Sequence, residues 1–119
     1  MSDRVPTINR IATVVEPRKP YFDWARGLDN DEPGIDVMTR EQLTSVYLIR
    51  ESDNSERMLR RQWDWMFEEK LFSWCRDSTL WPRKRTYKVF REWFDVRLVD
   101  LVFDLADAPI VLEDLGSGS

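Results

Sequence analysis

The stretch MLRRQWDWMFEEKLFSW, residues 58–74, decides how this chain folds. It lies in a run, 56–76, that contains neither glycine nor proline and therefore predicts one long helix. At helical spacing, six apolar side chains gather on one side and predict the face that packs on the core. These are Leu59, Trp63, Met66, Phe67, Leu71 and Trp74. The rest of the fold is expected to assemble around this helix.

A second apolar stripe, Met58, Trp65 and Phe72, lies almost opposite the first one, and an ordinary surface helix does not need it. One interpretation is that a short helix starting after Thr86, carrying Phe90, packs over the stripe. The other is that the stripe stays partly open and accepts another protein or a second copy of this chain. Under the second interpretation the predicted partner-binding residues are Met58, Trp65, Phe72 and Trp81.

Three segments have the β-branched, apolar composition of strands: 8–15, 45–50 and 96–105. A first helix opens at Pro20, which suits a first helical turn. The predicted order is β-α-β-α-α-β, an α+β fold with a single small sheet of about three strands backed by helices. The first β-α-β unit is a candidate parallel crossover, and the apolar centre of 45–50 predicts burial on both faces. The order of the strands stays open.

The chain of 119 residues has room for one ordinary core. We expect one α+β domain over 1–110, followed by an acidic, flexible tail over 111–119. No apolar run approaches the length that spans a bilayer, so no membrane partner is expected. The single cysteine, Cys75, has no second cysteine to pair with, which favours a cytoplasmic location.

Composition excludes several classes of chemistry. Histidine is absent, which removes the commonest general base and the commonest ligand of transition metals. The chain has no glycine-rich phosphate loop and no nucleophile, zinc or redox motif. Glu68 and Glu69 are neighbours on a helix and point in different directions, so they do not form a carboxylate dyad. We expect no cofactor, no metal and no enzymatic activity.

Charge is unevenly distributed along the chain. The net charge is −4, with −3 over residues 1–54, +4 over 55–99 and −5 over 100–119. The overall acidity argues against general binding to nucleic acid. A basic group around Thr86 still forms an alternative site for an anion or for a single-stranded nucleic acid stacked on Trp81 and Tyr87. Its members are Arg83, Lys84, Arg85, Lys88 and Arg91. The other interpretation is an ordinary solvated turn that faces the acidic tail.

Several short segments resemble a family of small uncharacterised bacterial proteins. The segments are PYFDW (20–24), FSWC (72–75), DSTLWP (77–82), EWF (92–94) and VFDL (102–105). The resemblance covers most of residues 8–110. It implies a bacterial, cytoplasmic α+β domain, and it carries over no activity, cofactor or site residue.

Together these observations predict a small interaction protein, such as an adaptor, regulator or inhibitor, that uses an aromatic helical surface. Its partner would be another protein or a second copy of itself. Such a small acidic chain is also suited to block a basic site on its target.

Overall fold

The computed structural model describes residues 6–28 and 34–113. Three strands, β1 (Arg10–Pro17), β2 (Ser45–Arg50) and β3 (Phe94–Val99), form one sheet in the order β2-β1-β3. Both pairs are antiparallel, with Val15 opposite Ser45 on one side and Val96 on the other. The predicted α+β class and element order are confirmed.

Three α-helices accompany the sheet: α1 (Lys19–Gly27), α2 (Ser55–Trp74) and α3 (Tyr87–Trp93). The Asn54 side chain caps α2 by accepting a hydrogen bond from the Arg57 N–H, at 3.0 Å. The Thr86 hydroxyl caps α3 in the same way, accepting from the Val89 N–H at 3.2 Å. Short 3₁₀ turns occupy Gly34–Val37, Glu41–Leu43 and Ser78–Leu80.

The core lies between the helices and one face of the sheet. Alternate residues of each strand point into it, as strand geometry requires. The buried members are Ile11, Val15, Tyr21, Ala25, Ile35, Ile49, Leu59, Met66, Phe67, Leu71, Phe90 and Phe94. The predicted core stripe of α2 is therefore correct, with Trp63 and Trp74 partly buried at its margin.

The predicted parallel crossover is wrong, because β1 and β2 run antiparallel. The connection between them contains α1 and then two 3₁₀ turns, which return the chain to the end of β1 where it left. Arg40 marks this return, since its Nε donates to the Pro17 carbonyl at 3.0 Å. A strand that begins beside the end of its neighbour must run in the opposite direction.

The prediction that β2 is buried on both faces is also wrong. The strand lies at one edge of the sheet, and Val46 and Leu48 point away from the helices into solvent. The third strand is shorter than the predicted 96–105, since β3 starts at Phe94 and ends at Val99. Beyond it, an isolated bridge between Thr7 and Phe103 is the only further pairing among the described residues.

The interpretation in which α3 covers the second stripe of α2 does not hold. Phe90 of α3 packs on Phe67, with ring centroids 5.8 Å apart, and also on Trp63. These contacts place α3 against the core stripe, so the opposite flank of α2 is left to other neighbours.

The described part of the predicted tail, 111–113, is exposed, whereas 114–119 lie outside the described residues. Of the helices described here, none is both long and apolar enough to cross a membrane.

Candidate functional site

The second stripe of α2 reaches the surface beside the edge of the sheet. Trp65 is 59% exposed and Phe72 is 44% exposed, although both are large apolar side chains. They lie seven residues apart on one helix and therefore on one flank. The Arg76 guanidinium lies over the Phe72 ring, 5.5 Å from its centroid, which leaves the ring face partly shielded.

Trp65 is joined to β2 through Tyr47. The two rings meet edge to face with centroids 5.9 Å apart. The Tyr47 hydroxyl donates a hydrogen bond to Glu69 Oε1, one turn further along α2. Burial of the phenol and this hydrogen bond to a carboxylate raise the pKa of Tyr47 above its ordinary value. Tyr47 thus holds α2 at a fixed distance from the edge strand.

A groove of about 420 Å3 runs between β2 and this flank of α2. We call it the β2 groove; its lining residues are Val46, Tyr47, Leu48, Ile49, Arg50, Gln62, Trp65 and Met66. Its lining combines the buried apolar side chains of Ile49 and Met66 with the polar Tyr47 and Gln62 and the charged Arg50. The exposed Val46 and Leu48 continue the apolar surface onto the outer face of the sheet.

The outer edge of β2 is unpaired, because β1 is its only partner within the described residues. Every second residue of an edge strand turns its backbone N–H and C=O outward, where another extended chain can pair with them. Natural edge strands are usually protected by charges, prolines or bulges. In the sequence SVYLIR of β2, only Arg50 is charged and no proline occurs.

A buried lysine of α2 is hydrogen-bonded to the chain at the start of β2. Lys70 of α2 is only 3% exposed, and its Nζ donates to the Leu43 carbonyl and to Ser45 Oγ, the latter at 2.9 Å. Burial lowers the pKa of Lys70, because the charged ammonium loses hydration, while nearby Glu69 opposes this shift. The amine therefore fixes the chain where it enters the edge strand.

Two unpaired cations lie at the end of the groove that holds Ile49. Arg50 and Arg61 line an adjoining hollow of about 230 Å3 together with Met58 and Gln62. Neither arginine forms an ion pair with any residue in 6–28 or 34–113. This end of the groove is positively charged and open to an acidic segment.

The four predicted partner-binding residues are only partly brought together. Trp65 and Phe72 are exposed, and Met58 is half-buried against the core at the end of the same flank. Trp81 is half-buried elsewhere: its indole N–H donates to the Cys75 carbonyl at 2.7 Å, and Arg85 lies over its ring. Trp81 therefore stabilises the loop after α2 and lies apart from the groove.

The members of the basic group around Thr86 form different contacts. Arg91 pairs with Glu56 at 3.5 Å and donates to the Tyr87 hydroxyl. Arg85 donates to the Pro82 carbonyl and approaches Glu68 at 4.0 Å. Of this group, only Arg83, Lys84 and Lys88 are exposed cations that bind no other side chain in the part of the chain that the structure describes, and α3 is a helix of seven residues. Within the described residues, no member of the group pairs with the acidic tail.

The structure adds residues that sequence reasoning did not select: Val46, Tyr47, Leu48 and the buried Lys70. The apolar run of β2 was visible, but its exposure depends on strand order, which local sequence does not encode. The burial of Lys70 was indicated by the sequence, because this residue falls on the core stripe between Phe67 and Trp74, at helical spacing from Met66. In the described part of the chain, no cluster of carboxylates and Cys75 is arranged to hold a metal ion.

Comparison with protein-family models, with curated proteins and with solved structures finds no match for this chain. The resemblance to small bacterial proteins therefore stays a prediction.

Proposed function

We propose that this chain is a small protein–protein interaction module, an adaptor, regulator or inhibitor without catalytic activity. It binds its partner through the β2 groove and the exposed aromatic flank of α2, Trp65 and Phe72. The proposal includes a cytoplasmic location, where the single Cys75 remains reduced.

The observation that carries the proposal is the position of Trp65 beside a strand edge that pairs with no other described residue. An extended segment that adds to β2 gains backbone hydrogen bonds along the edge. Its side chains on one face enter the groove and contact Trp65 and Met66. Large aromatic side chains next to a groove are typical anchors of an interface, because they bury much area with little loss of conformational freedom.

The positive charge at one end of the groove indicates which side chains the bound segment of the partner carries. Arg50 and Arg61 at one end favour a segment that combines apolar side chains with acidic ones. The interaction is accordingly expected to weaken with added salt, because these arginines are exposed and screened by ions.

Site-specific photo-crosslinking tests the proposal. A photo-reactive amino acid is placed at Leu48, which is 48% exposed on the outer face beside the groove, and at Leu80 as a matched control, which is 49% exposed in the turn after α2. Each full-length variant is exposed to a lysate of the source cells, and crosslinked species are identified by mass spectrometry.

We expect a discrete crosslinked protein, either another chain or a second copy, from Leu48 and a much weaker one from Leu80. Equal labelling from both positions, or none from Leu48, would contradict the proposal.

A further inference from the structure

The C-terminal segment of this chain has the properties that the β2 groove requires of its occupant. Beyond β3 the chain exposes one apolar side chain after another: Leu101, Phe103, Leu105, Ile110, Val111 and Leu112. Leu112 is 95% exposed, which is close to the exposure of an isolated residue. A segment that exposes so many apolar side chains to water is typical of an element whose partner is missing.

Among the residues that the structure describes, the segment is hydrogen-bonded to its own domain only at its beginning. The Ile8 N–H donates to the Val102 carbonyl at 2.8 Å, and Phe103 forms the bridge with Thr7. From Asp104 to Glu113, the one hydrogen bond recorded among described residues is internal, from the Ala106 N–H to Asp104 Oδ1. Residues 104–109 can therefore act as a linker that spans up to about 20 Å when extended.

Ile110–Glu113 has the pattern of a short strand that can add to an edge. Ile110 and Leu112 lie on one face of an extended chain, and Val111 lies on the other. In the groove, the first two would contact Trp65 and Met66, while Val111 would lie beside Val46 or Leu48 on the outer face. Pro109 directly precedes this segment, at a position where a strand tolerates proline.

The C-terminal segment and the β2 groove also carry opposite charges. The chain after Val99 contains acidic residues and no basic ones. Asp107 and Glu113 flank the apolar segment, and one end of the groove holds Arg50 and Arg61, which form no ion pair within the described ranges. Docking would therefore bring an acidic side chain of the segment close to these two arginines, at one end of the apolar contact.

We infer that the β2 groove binds Ile110–Glu113 of a second copy of this chain, so that two copies exchange their C-terminal segments in a symmetric dimer. The inference rests on the proposed function and identifies its partner. A two-fold axis makes each copy donate one segment and accept one, which doubles the contact.

Sedimentation equilibrium of the full chain over a range of concentrations tests the inference. Leu112→Asp damages the segment and Leu48→Asp damages the groove; both residues are exposed, so the fold tolerates the changes. Leu105→Asp is the control, because it adds the same charge to the segment outside the docked residues.

The wild-type chain is expected to dimerise, and Leu112→Asp and Leu48→Asp each to raise the dimer dissociation constant at least about tenfold, with Leu105→Asp within about twofold of wild type. A wild-type chain that stays monomeric would overturn the inference. So would a dimer that Leu105→Asp weakens as much as Leu112→Asp.

Mixing the two damaged variants identifies an exchange of segments. Leu48→Asp keeps an intact segment, and Leu112→Asp keeps an intact groove, so their heterodimer regains one of the two contacts. We expect the mixture to associate more strongly than either variant alone. No gain on mixing would overturn the inference.

The proposed function and this inference fail in different ways. A monomeric wild-type chain whose Leu48 still crosslinks to another protein would refute the second copy as partner and leave the interaction module standing. A chain that neither dimerises nor crosslinks from Leu48 would refute both.

Discussion

The indole ring of Trp65 meets the ring of Tyr47 at 87°, with the two centroids 5.9 Å apart. This contact joins the middle of α2 to the middle of the edge strand β2. Because Trp65 is nevertheless mostly exposed, the contact supports the groove without closing it. The same tryptophan can therefore stabilise the domain slightly and contact a partner.

Replacement of Trp65 should cost little stability. Trp65→Ala removes one edge-to-face aromatic contact and should lower the free energy of unfolding by about 1 kcal/mol. Phe67→Ala, two residues away on the buried face, should lower it by about 3–5 kcal/mol, because it opens a cavity among Phe90, Trp93 and Phe94. Urea unfolding measures both values. Equal losses would show that Trp65 belongs to the core.

The tyrosines should lose their phenolic protons at a higher pH than an ordinary tyrosine does. Burial raises the pKa of Tyr21 to about 12, and burial also raises the pKa of Tyr47 and of Tyr87 above 10.0. These are all the tyrosines of the chain, so phenolate absorbance in the native state should rise well above the ordinary midpoint. The unfolded chain loses these protons first, so the free energy of unfolding should fall as pH rises beyond about 10. A normal midpoint in a still-folded chain would contradict this.

Lys70 should make stability depend on pH in the opposite direction. Its folded-state pKa is lowered by burial, so the unfolded chain holds this proton to a higher pH than the folded chain. The free energy of unfolding of the wild type, relative to that of Lys70→Met, should therefore increase as pH rises from neutral toward about 10.4. Denaturant unfolding at several pH values measures it.

The control for Lys70 is Lys88→Met, at an exposed position of α3. This variant should follow the wild-type pH profile throughout. A pH-independent difference between wild type and Lys70→Met would show that the amine is hydrated in the folded state.

Thr13 should tolerate valine. Its side chain is fully buried in β1, and its hydroxyl has no hydrogen-bond partner among the described residues. Thr13→Val keeps the shape and removes the unsatisfied hydroxyl, so it should raise the free energy of unfolding by about 1 kcal/mol. The reverse change, Val15→Thr, lies on the same face of the same strand and should lower it by about 1–3 kcal/mol. Loss of stability in Thr13→Val would reveal a partner for the hydroxyl.

Local patterns predicted the helices well because helical periodicity and capping are short-range. The stripe through Leu59 and Phe67 and the cap at Thr86 were both readable from neighbouring residues. The second stripe was visible for the same reason, and Trp65 and Phe72 are indeed exposed.

The groove itself could not be predicted, because it depends on which strand lies at the edge. That depends on long-range contacts, such as the hydrogen bond from Arg40 to Pro17 that returns the chain beside β1. An apolar run such as Val46–Ile49 looks the same in a central strand and in an unprotected edge strand. Trp81 was chosen for its type, and only its hydrogen bond to Cys75 shows that it serves the loop.

The most direct test of the β2 groove as a docking site is amide hydrogen exchange, measured on the monomer at low concentration and on the complex with the partner that crosslinks to Leu48. For a second copy of this chain, that complex is the dimer formed at high concentration. We expect amides of Ser45–Arg50 to exchange more slowly in the complex, while those of Tyr87–Trp93 keep their rates. Unchanged exchange in Ser45–Arg50, with protection elsewhere, would contradict the account.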